Sequence, residues 1–294
     1  MRKQQIIVAS AAALTLLLAG CSSPAPESSE APEGGGSEIA LPANIEEKGA
    51  IDVGVYFNYP PYTFEEDGEL KGIEADLMRA VGEKLGVEVE FHDLAFEAMI
   101  PAVVNGRMDA LIGPMGDTEE RRKEVSFIDT LTAGFQAVVK KGNPSGFDIE
   151  NPCGAKGGEV AASNNLEVMK LLSEECVKNG EAPISELSLP DAGNVFQAVI
   201  SERTDFTLQV PALAQFMTET TPELELQGEP FPSPISDVQG WIVGKDNTEL
   251  IDAIYTAINE LIEDGTWTDI MEEAGQLEVA LLPPLVNGEE YEVK

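Results

Sequence analysis

Hydrophobic positions along the chain follow two spacings, one typical of strands and one typical of helices. Residues 51–56 form an apolar, β-rich run, and residues 87–91 alternate apolar and polar side chains, so both segments predict strands. Apolar residues recur at helical spacing over 77–85 and again over 96–103, and a further buried strand is predicted at 109–113. This succession predicts a β-sheet flanked by helices.

The same alternation restarts after an extended segment at residues 134–140, and a second extended segment lies at 237–243. We therefore predict an α/β protein of two lobes, each with a mixed sheet flanked by helices, joined by two extended hinge strands. The first lobe takes residues 45–134 and 237–294, and the second takes 135–236. A cleft between two such lobes is a natural ligand site that closes by hinge motion.

The N-terminal residues predict export and anchoring. Residues 1–20 begin with positive charge and continue as an apolar run that is too short for a membrane span of about 20 residues, which is typical of a signal peptide. Leu18-Ala19-Gly20-Cys21 resembles a bacterial lipobox, which implies cleavage before Cys21, lipid on its sulfur and a location on the outer face of the membrane. An ordinary signal peptide with a chance cysteine is the alternative. Residues 21–44 are predicted to be a flexible tether because Ser, Pro, Glu, Ala and Gly dominate them.

Charge and cysteine content narrow the function. The formal net charge is -35, and removing residues 1–20 takes away Arg2 and Lys3 and no acid, which makes it -37. A surface this acidic repels nucleic acid. DNA and RNA are therefore not expected as partners.

Besides Cys21, the chain has two cysteines, Cys153 and Cys176, and outside the cytosol such a pair favours a disulfide over two buried thiols. No metal site or cofactor is predicted, because the chain has one histidine and no clustered ligand spacing.

Four runs in order carry a family resemblance across residues 45–275. They resemble the extracellular solute-binding proteins of family 3, the receptors of polar amino-acid ABC importers. The resemblance implies the two-lobed type II periplasmic-binding-protein fold, a monomer, an ABC permease as partner and an amino acid or related small zwitterion as ligand. Cys153 and Cys176 also resemble the disulfide-bearing lobe of members from high-GC Gram-positive bacteria. The four runs are Tyr59-Pro60-Pro61-Tyr62-Thr63-Phe64, Gly72-Ile73-Glu74-Ala75-Asp76-Leu77, the segment 100–109, and Asp117-Thr118-Glu119-Glu120-Arg121.

The resemblance assigns ligand-binding roles residue by residue. Arg121 is expected to hold a ligand carboxylate through two parallel hydrogen bonds, whereas Arg122 and Lys123 are expected to face solvent on a surface helix. Tyr59 and Phe96 are expected to sandwich the rest of the ligand between flat faces. The full set of expected ligand-binding residues is Tyr56, Tyr59, Phe96, Gly113, Met115, Gly116, Arg121, Asn164, Asn165 and Gln209.

Two positions depart from the family. Amino-acid binders usually have Ser or Thr where this chain has Gly116, and Asp where it has Gln209, and those side chains hold the ligand's α-ammonium group. Ser163-Asn164-Asn165 also replaces the usual Gly-Thr-Thr, yet it still offers amide and backbone donors that suit a carboxylate. Because a buried ammonium without a counter-charge is unfavourable, the pattern favours a modified amino acid or a zwitterion whose positive charge is delocalised or alkylated.

Two other classes of function, an enzyme and a ligand sensor, are alternatives to a carrier. A cyclic-acid dehydratase on the same fold needs a general acid or base in the cleft, and Glu97, Asp117 and Glu167 are expected to be solvated or capping groups. A ligand sensor would need a signalling domain, and no segment resembles one. The sequence therefore predicts a binding protein and not an enzyme.

Overall fold

Strands and helices alternate through residues 39–245 and 247–293, which are the residues that the computed structural model describes. The N-terminal part contains α1 (Ala43–Lys48), β1 (Ala50–Val55), β2 (Asn58–Tyr59), β3 (Thr63–Glu66), β4 (Glu69–Lys71), α2 (Ile73–Leu85), β5 (Glu88–Asp93), α3 (Met99–Val104), β6 (Ala110–Gly116) and β7 (Val125–Thr132). The middle part contains β8 (Gly134–Lys140), β9 (Lys156–Val160), α4 (Asn164–Lys178), β10 (Ser185–Leu189), α5 (Ala192–Ile200), β11 (Phe206–Gln209), α6 (Pro211–Thr220) and β12 (Leu224–Pro232). The C-terminal part contains β13 (Val238–Gly244), α7 (Thr248–Glu263), α8 (Thr266–Glu273) and β14 (Ala280–Val286).

The first sheet has six strands in the order β14-β7-β13-β6-β1-β5. β5, β1 and β6 run parallel, whereas β13, β7 and β14 pair antiparallel. Helices α2, α7 and α8 pack together beside this sheet, as the long apolar stripes of α2 and α7 predict. The sheet is therefore mixed, with the parallel strands grouped at one side.

The second sheet has five strands in the order β10-β9-β11-β8-β12. β10, β9 and β11 are parallel, and β8 pairs antiparallel with β11 and β12. A disulfide joins Cys153, just before β9, to Cys176 in α4, with the two Cα atoms 5.5 Å apart. This confirms the predicted bridge and removes the alternative of two buried thiols.

The chain passes between the two sheets at two neighbouring places. Ala133 alone separates β7 from β8, and residues 233–237 separate β12 from β13. The two connections are hydrogen-bonded to each other, since the Ala133 N–H donates to the Asp237 carbonyl oxygen at 2.9 Å and the Ser233 N–H donates to the Ala133 carbonyl oxygen at 3.4 Å. Movement of the two sheets as separate lobes, with the boundaries given above, stays a prediction.

Buried apolar side chains from both sheets form one continuous core cluster, in which Val55 and Tyr62 share a group with Ala192 and Phe196. The described residues accordingly belong to one compact unit. The predicted tether, residues 21–44, extends too far toward the C-terminus. Leu41 packs against this core and Ala43 begins α1, because residues 39–45 include three large apolar side chains, Ile39, Leu41 and Ile45, that pack on the core.

Two predictions about the N-terminus lie outside the described residues. These are the signal peptide of residues 1–20 and the lipidation of Cys21. Within residues 39–245 and 247–293, no helix is both long and apolar enough to cross a membrane.

Candidate functional site

A cavity lies between the two sheets, at the carboxyl ends of parallel strands from each. Tyr56 follows β1 and Gly113 to Gly116 end β6, while Val160 ends β9 and Gln209 ends β11. Ligand sites of open α/β sheets form at this edge, because the loops there are free to carry polar groups. The space open to the centre of a water molecule is about 60 Å³.

All ten residues expected to bind ligand line this cavity. Six more lining residues were not predicted, because small and apolar side chains give no chemical signal in a sequence. Ser163 is a partial exception, since it caps α4 through a hydrogen bond from the Leu166 N–H to its Oγ, which is a pattern that a sequence can indicate. The six are Thr63, Met99, Ile112, Val160, Ser163 and Ala192.

Hydrogen bonds across the cavity hold the two sheets together. The backbone N–H of Ala192, at the start of α5, donates to Tyr56 Oη at 3.1 Å. Arg121 Nη2 donates to the Ala162 carbonyl oxygen, which lies on the second-sheet side, at 3.3 Å.

Arg121 lies in a 3₁₀ turn, Arg121–Lys123, that follows β6. Its Nη1 donates to the Gly116 carbonyl oxygen at 2.8 Å, so the guanidinium group is held against the cavity by backbone oxygens. No carboxylate of the described residues lies within ion-pair distance of it. Burial lowers the pKa of Arg121 to about 10, which leaves the group charged at neutral pH.

Arg122 is half-buried and paired rather than free in solvent as predicted, and Asp117 is not a solvated or capping acid. Arg122 Nε donates to Asp117 Oδ1 at 2.6 Å, and the Asp117 side chain is fully buried. Asp117 in turn neighbours the buried Asp129, which accepts a hydrogen bond from the Gly288 N–H at 2.8 Å. Burial and the adjacent Asp117 raise the pKa of Asp129 to about 7. The prediction failed because it assumed regular helical spacing, whereas a 3₁₀ turn places consecutive side chains differently.

Three aromatic rings form one wall of the cavity. The ring centroid of Tyr56 lies 6.5 Å from that of Tyr59 and 6.2 Å from that of Phe96, so Tyr56 contacts both rings that were expected to flank the ligand. Behind this wall the buried Glu74 accepts hydrogen bonds from the Trp241 indole and the Gly113 N–H. Burial raises the pKa of Glu74 to about 7. These bonds fix the strand end that carries Gly113.

Gly116 and Asn164 fit each other across the cavity. A Cβ atom at position 116 would lie 1.9 Å from Asn164 Nδ2 and 3.0 Å from Asn164 Cγ. The backbone φ of Gly116 is not in the left-handed region, so what a side chain at this position would have to displace is the amide at the end of the Asn164 side chain. The Asn164 amide, at the start of α4, therefore lies where the family usually supplies a hydroxyl from position 116.

Gln209 is held from behind by a buried polar network. Its Nε2 donates to Thr207 Oγ1 at 2.7 Å, and the Thr207 hydroxyl lies 3.1 Å from Glu159 Oε1. Asn165 Nδ2 donates to the Leu208 carbonyl oxygen at 2.6 Å. Gln209 and Asn165 are therefore fixed in position before any ligand binds.

The chain resembles known binding proteins over most of its length. Residues 51–276 match the model of the bacterial extracellular solute-binding proteins, family 3. The arginine-binding protein ArgT of Corynebacterium glutamicum is 28% identical over 85% of this chain and 82% of that protein. The ABC transporter glutamine-binding protein GlnH of Bacillus subtilis is 28% identical over 69% of this chain and 72% of that protein.

A solved structure supports the fold. An ancestral arginine-binding protein bound to glutamine is 34% identical, with a TM-score of 0.67, over 78% of this chain and 98% of that one. These relatives are named as binding proteins. The chain belongs to the bacterial extracellular solute-binding proteins, family 3.

Proposed function

We propose that this protein is the substrate-binding lipoprotein of an ABC importer, and that it captures an amino acid or related small zwitterion between its two lobes. The observation that carries the proposal is Arg121. It is a charged guanidinium group that lines a largely apolar cavity and has no carboxylate partner among the described residues. A ligand carboxylate supplies that partner through two parallel hydrogen bonds.

The cavity lining favours a ligand without a cationic side chain. ArgT is named for arginine, but a second guanidinium group in this cavity would meet Arg121 and no lining acid. The faces of Tyr56, Tyr59 and Phe96 suit an aliphatic stem or an alkylated cation. We therefore favour a neutral amino acid, a modified amino acid or a betaine-like zwitterion over arginine.

Ligand entry requires the two sheets to separate. The connections at Ala133 and at residues 233–237 are short and lie side by side, so one bending motion can act on both. Opening there breaks the contacts from Tyr56 to Ala192 and from Arg121 to Ala162, and ligand binding restores them. The closed monomer then presents both lobes to the permease.

A thermal-shift screen tests the proposed ligand class. L-glutamine, glycine betaine, L-arginine and the anion pentanoate are each added to the purified protein. A ligand at one hundred times its Kd adds about 2.7 kcal/mol to the free energy of unfolding. We expect a shift with L-glutamine or glycine betaine that exceeds the shift with L-arginine. No shift with any of the four would reject the proposed ligand class.

Anchoring through Cys21 is tested by membrane fractionation. Cys21→Ala should release the protein from the membrane or block its processing, because lipid on this sulfur is the proposed anchor. A Cys21→Ala protein that is cleaved and still sediments with membranes would reject the anchor. For the enzyme alternative, the general acid or base that a dehydratase needs would have to be the phenol of Tyr56 or Tyr59, because the described lining includes no carboxylate, imidazole or thiol and burial raises the pKa of both phenols.

A further inference from the structure

The cavity wall carries one formal charge, the positive charge of Arg121, and its described residues carry no negative charge. A zwitterionic ligand brings a positive group as well as a carboxylate. Once both are out of water, the positive group needs a counter-charge. Glu159, on β9 directly behind the lining, is a carboxylic acid that is 0% exposed.

Glu159 is connected to the cavity by short links. Its Oε1 accepts hydrogen bonds from the Leu208 N–H and from the Thr207 hydroxyl. The same hydroxyl accepts from Gln209 Nε2, which leaves Gln209 Oε1 as the acceptor at the cavity end. Glu159 Oε2 has no hydrogen-bond partner among the described residues. One side of this buried carboxyl group is therefore linked to the site, and the other is unpaired.

The surroundings of Glu159 hold it in its neutral form. Strands β10 and β11 and helices α4 and α5 pack against β9, and no charged group on these elements acts on its pKa. The titratable group that faces it from outside the second sheet is the phenol of Tyr59, on β2, which forms a small separate sheet with β3 and β4. Burial raises the pKa of Glu159 well above its ordinary value, and the hydrogen bonds from the Leu208 N–H and the Thr207 hydroxyl oppose that rise only in part.

We propose that Glu159 is a specificity-determining residue, whose carboxyl group ionises when the cationic group of a ligand occupies the Gln209 end of the cavity. The proton goes to solvent, and the buried carboxylate becomes the counter-charge that the lining lacks. This inference rests on the proposed function, because it concerns the same cavity and the same zwitterionic ligand. It makes ligand capture a selection for positive charge as well as for a carboxylate.

The expected coupling is large enough to measure. At about 7 Å and an effective dielectric constant of about 20, a single positive charge favours the ionised form of Glu159 by about 50-fold. Binding should therefore release up to about one proton at a pH below the pKa of Glu159 in the empty protein. Affinity should rise with pH by at most about tenfold per unit and about 50-fold in all as the pH approaches that pKa from below, and it should level off above that pKa.

Calorimetry on the full mature chain tests the proposal. L-glutamine, glycine betaine and L-arginine are titrated between pH 6 and 8 in phosphate and in Tris, because the two buffers differ in their heat of proton uptake. Pentanoate serves as the ligand without a positive charge. Glu159→Gln keeps the shape and hydrogen-bonding capacity of the side chain and removes the proton. Glu186→Gln is the matched control, since it removes one exposed acid from the neighbouring strand β10.

The proposal expects the wild type to release a proton on binding at least one cation-bearing ligand and to release none with pentanoate. In Glu159→Gln, the affinity for that ligand should not change with pH and should be at least tenfold weaker at pH 8. Glu186→Gln should match the wild type. A wild-type protein that binds such a ligand without proton release overturns the inference, and so does equal release in Glu159→Gln. These wild-type results decide the question even if the variant fails to fold. A wild type that binds none of the four ligands overturns the proposed function instead.

Discussion

Replacing Gly116 by serine should weaken ligand binding by blocking closure of the cavity. The substitution restores a hydroxyl that the family usually carries, and the backbone conformation of Gly116 accepts any residue. The new Cβ atom would nevertheless lie 1.9 Å from Asn164 Nδ2 in the closed form. Asn164 must therefore turn away, and the contact across the cavity is lost.

The magnitude follows from that overlap. Overfilling a packed site typically costs about 1–3 kcal/mol, and here the clash arises only when the two sheets close. We expect Gly116→Ser to weaken binding by a factor of about 5 to 150, which is that free energy expressed as a ratio of Kd values. The free energy of unfolding should change little, because opening the cavity relieves the clash.

A double-mutant cycle isolates this contact. The Kd of the best ligand from the thermal-shift screen is measured by calorimetry for the wild type, Gly116→Ser, Asn164→Ala and the double variant. We expect a coupling energy of about 1–2 kcal/mol, because Asn164→Ala removes the amide that clashes. Gly244→Ser is the matched control, since a Cβ atom there makes only ordinary contacts of 3.9 Å or more. Unchanged binding in Gly116→Ser, or an equal loss in both backgrounds, would refute the reasoning.

Three further predictions concern stability. Arg122→Ala should lower the free energy of unfolding at pH 7.5 by about 2 kcal/mol, because it leaves the buried Asp117 unpaired, whereas the exposed Lys123→Ala should change it little; equal urea midpoints would contradict this. The pKa of Asp129 is raised to about 7, so its protonated form stabilises the fold. This contribution to the free energy of unfolding, up to about 4 kcal/mol, is fully present below about pH 4 and is lost as the pH rises to 7. Asp129→Asn should flatten this decline, and a parallel pH profile would argue against it. Reducing the Cys153–Cys176 bridge, which spans 23 residues, should remove about 3 kcal/mol, and an unchanged melting temperature would contradict that expectation.

Elements with strong periodicity were predictable from the sequence, whereas the proline-bearing edge strands β12 and β14 and the interior strand β7 were not. Helix α7 has an apolar face along its whole length, so hydrophobic spacing alone indicates it. β12 and β14 were missed because both lie at sheet edges, carry prolines and expose much of their length. Such strands lack the apolar alternation that marks a half-buried strand.

The candidate site was predictable where chemistry resides in one residue and unpredictable where it depends on a neighbour. Arg121 and the aromatic residues could be expected from motif and residue type. The fit of Asn164 over Gly116, the pairing of Arg122 with Asp117 and the position of Glu159 behind Gln209 join residues that are distant in sequence or irregular in spacing. No local pattern reports such contacts, because they arise only when the sheets pack.

The most direct test of the central claim measures the coupling between Arg121 and the ligand carboxylate. An amino acid that binds, and its α-amide, are titrated into the wild type and Arg121→Ala by calorimetry. The account predicts that the wild type prefers the free acid by at least 100-fold, about 3 kcal/mol, and that the preference disappears in Arg121→Ala. An Arg121→Ala protein that keeps the wild-type preference for the acid would contradict the account.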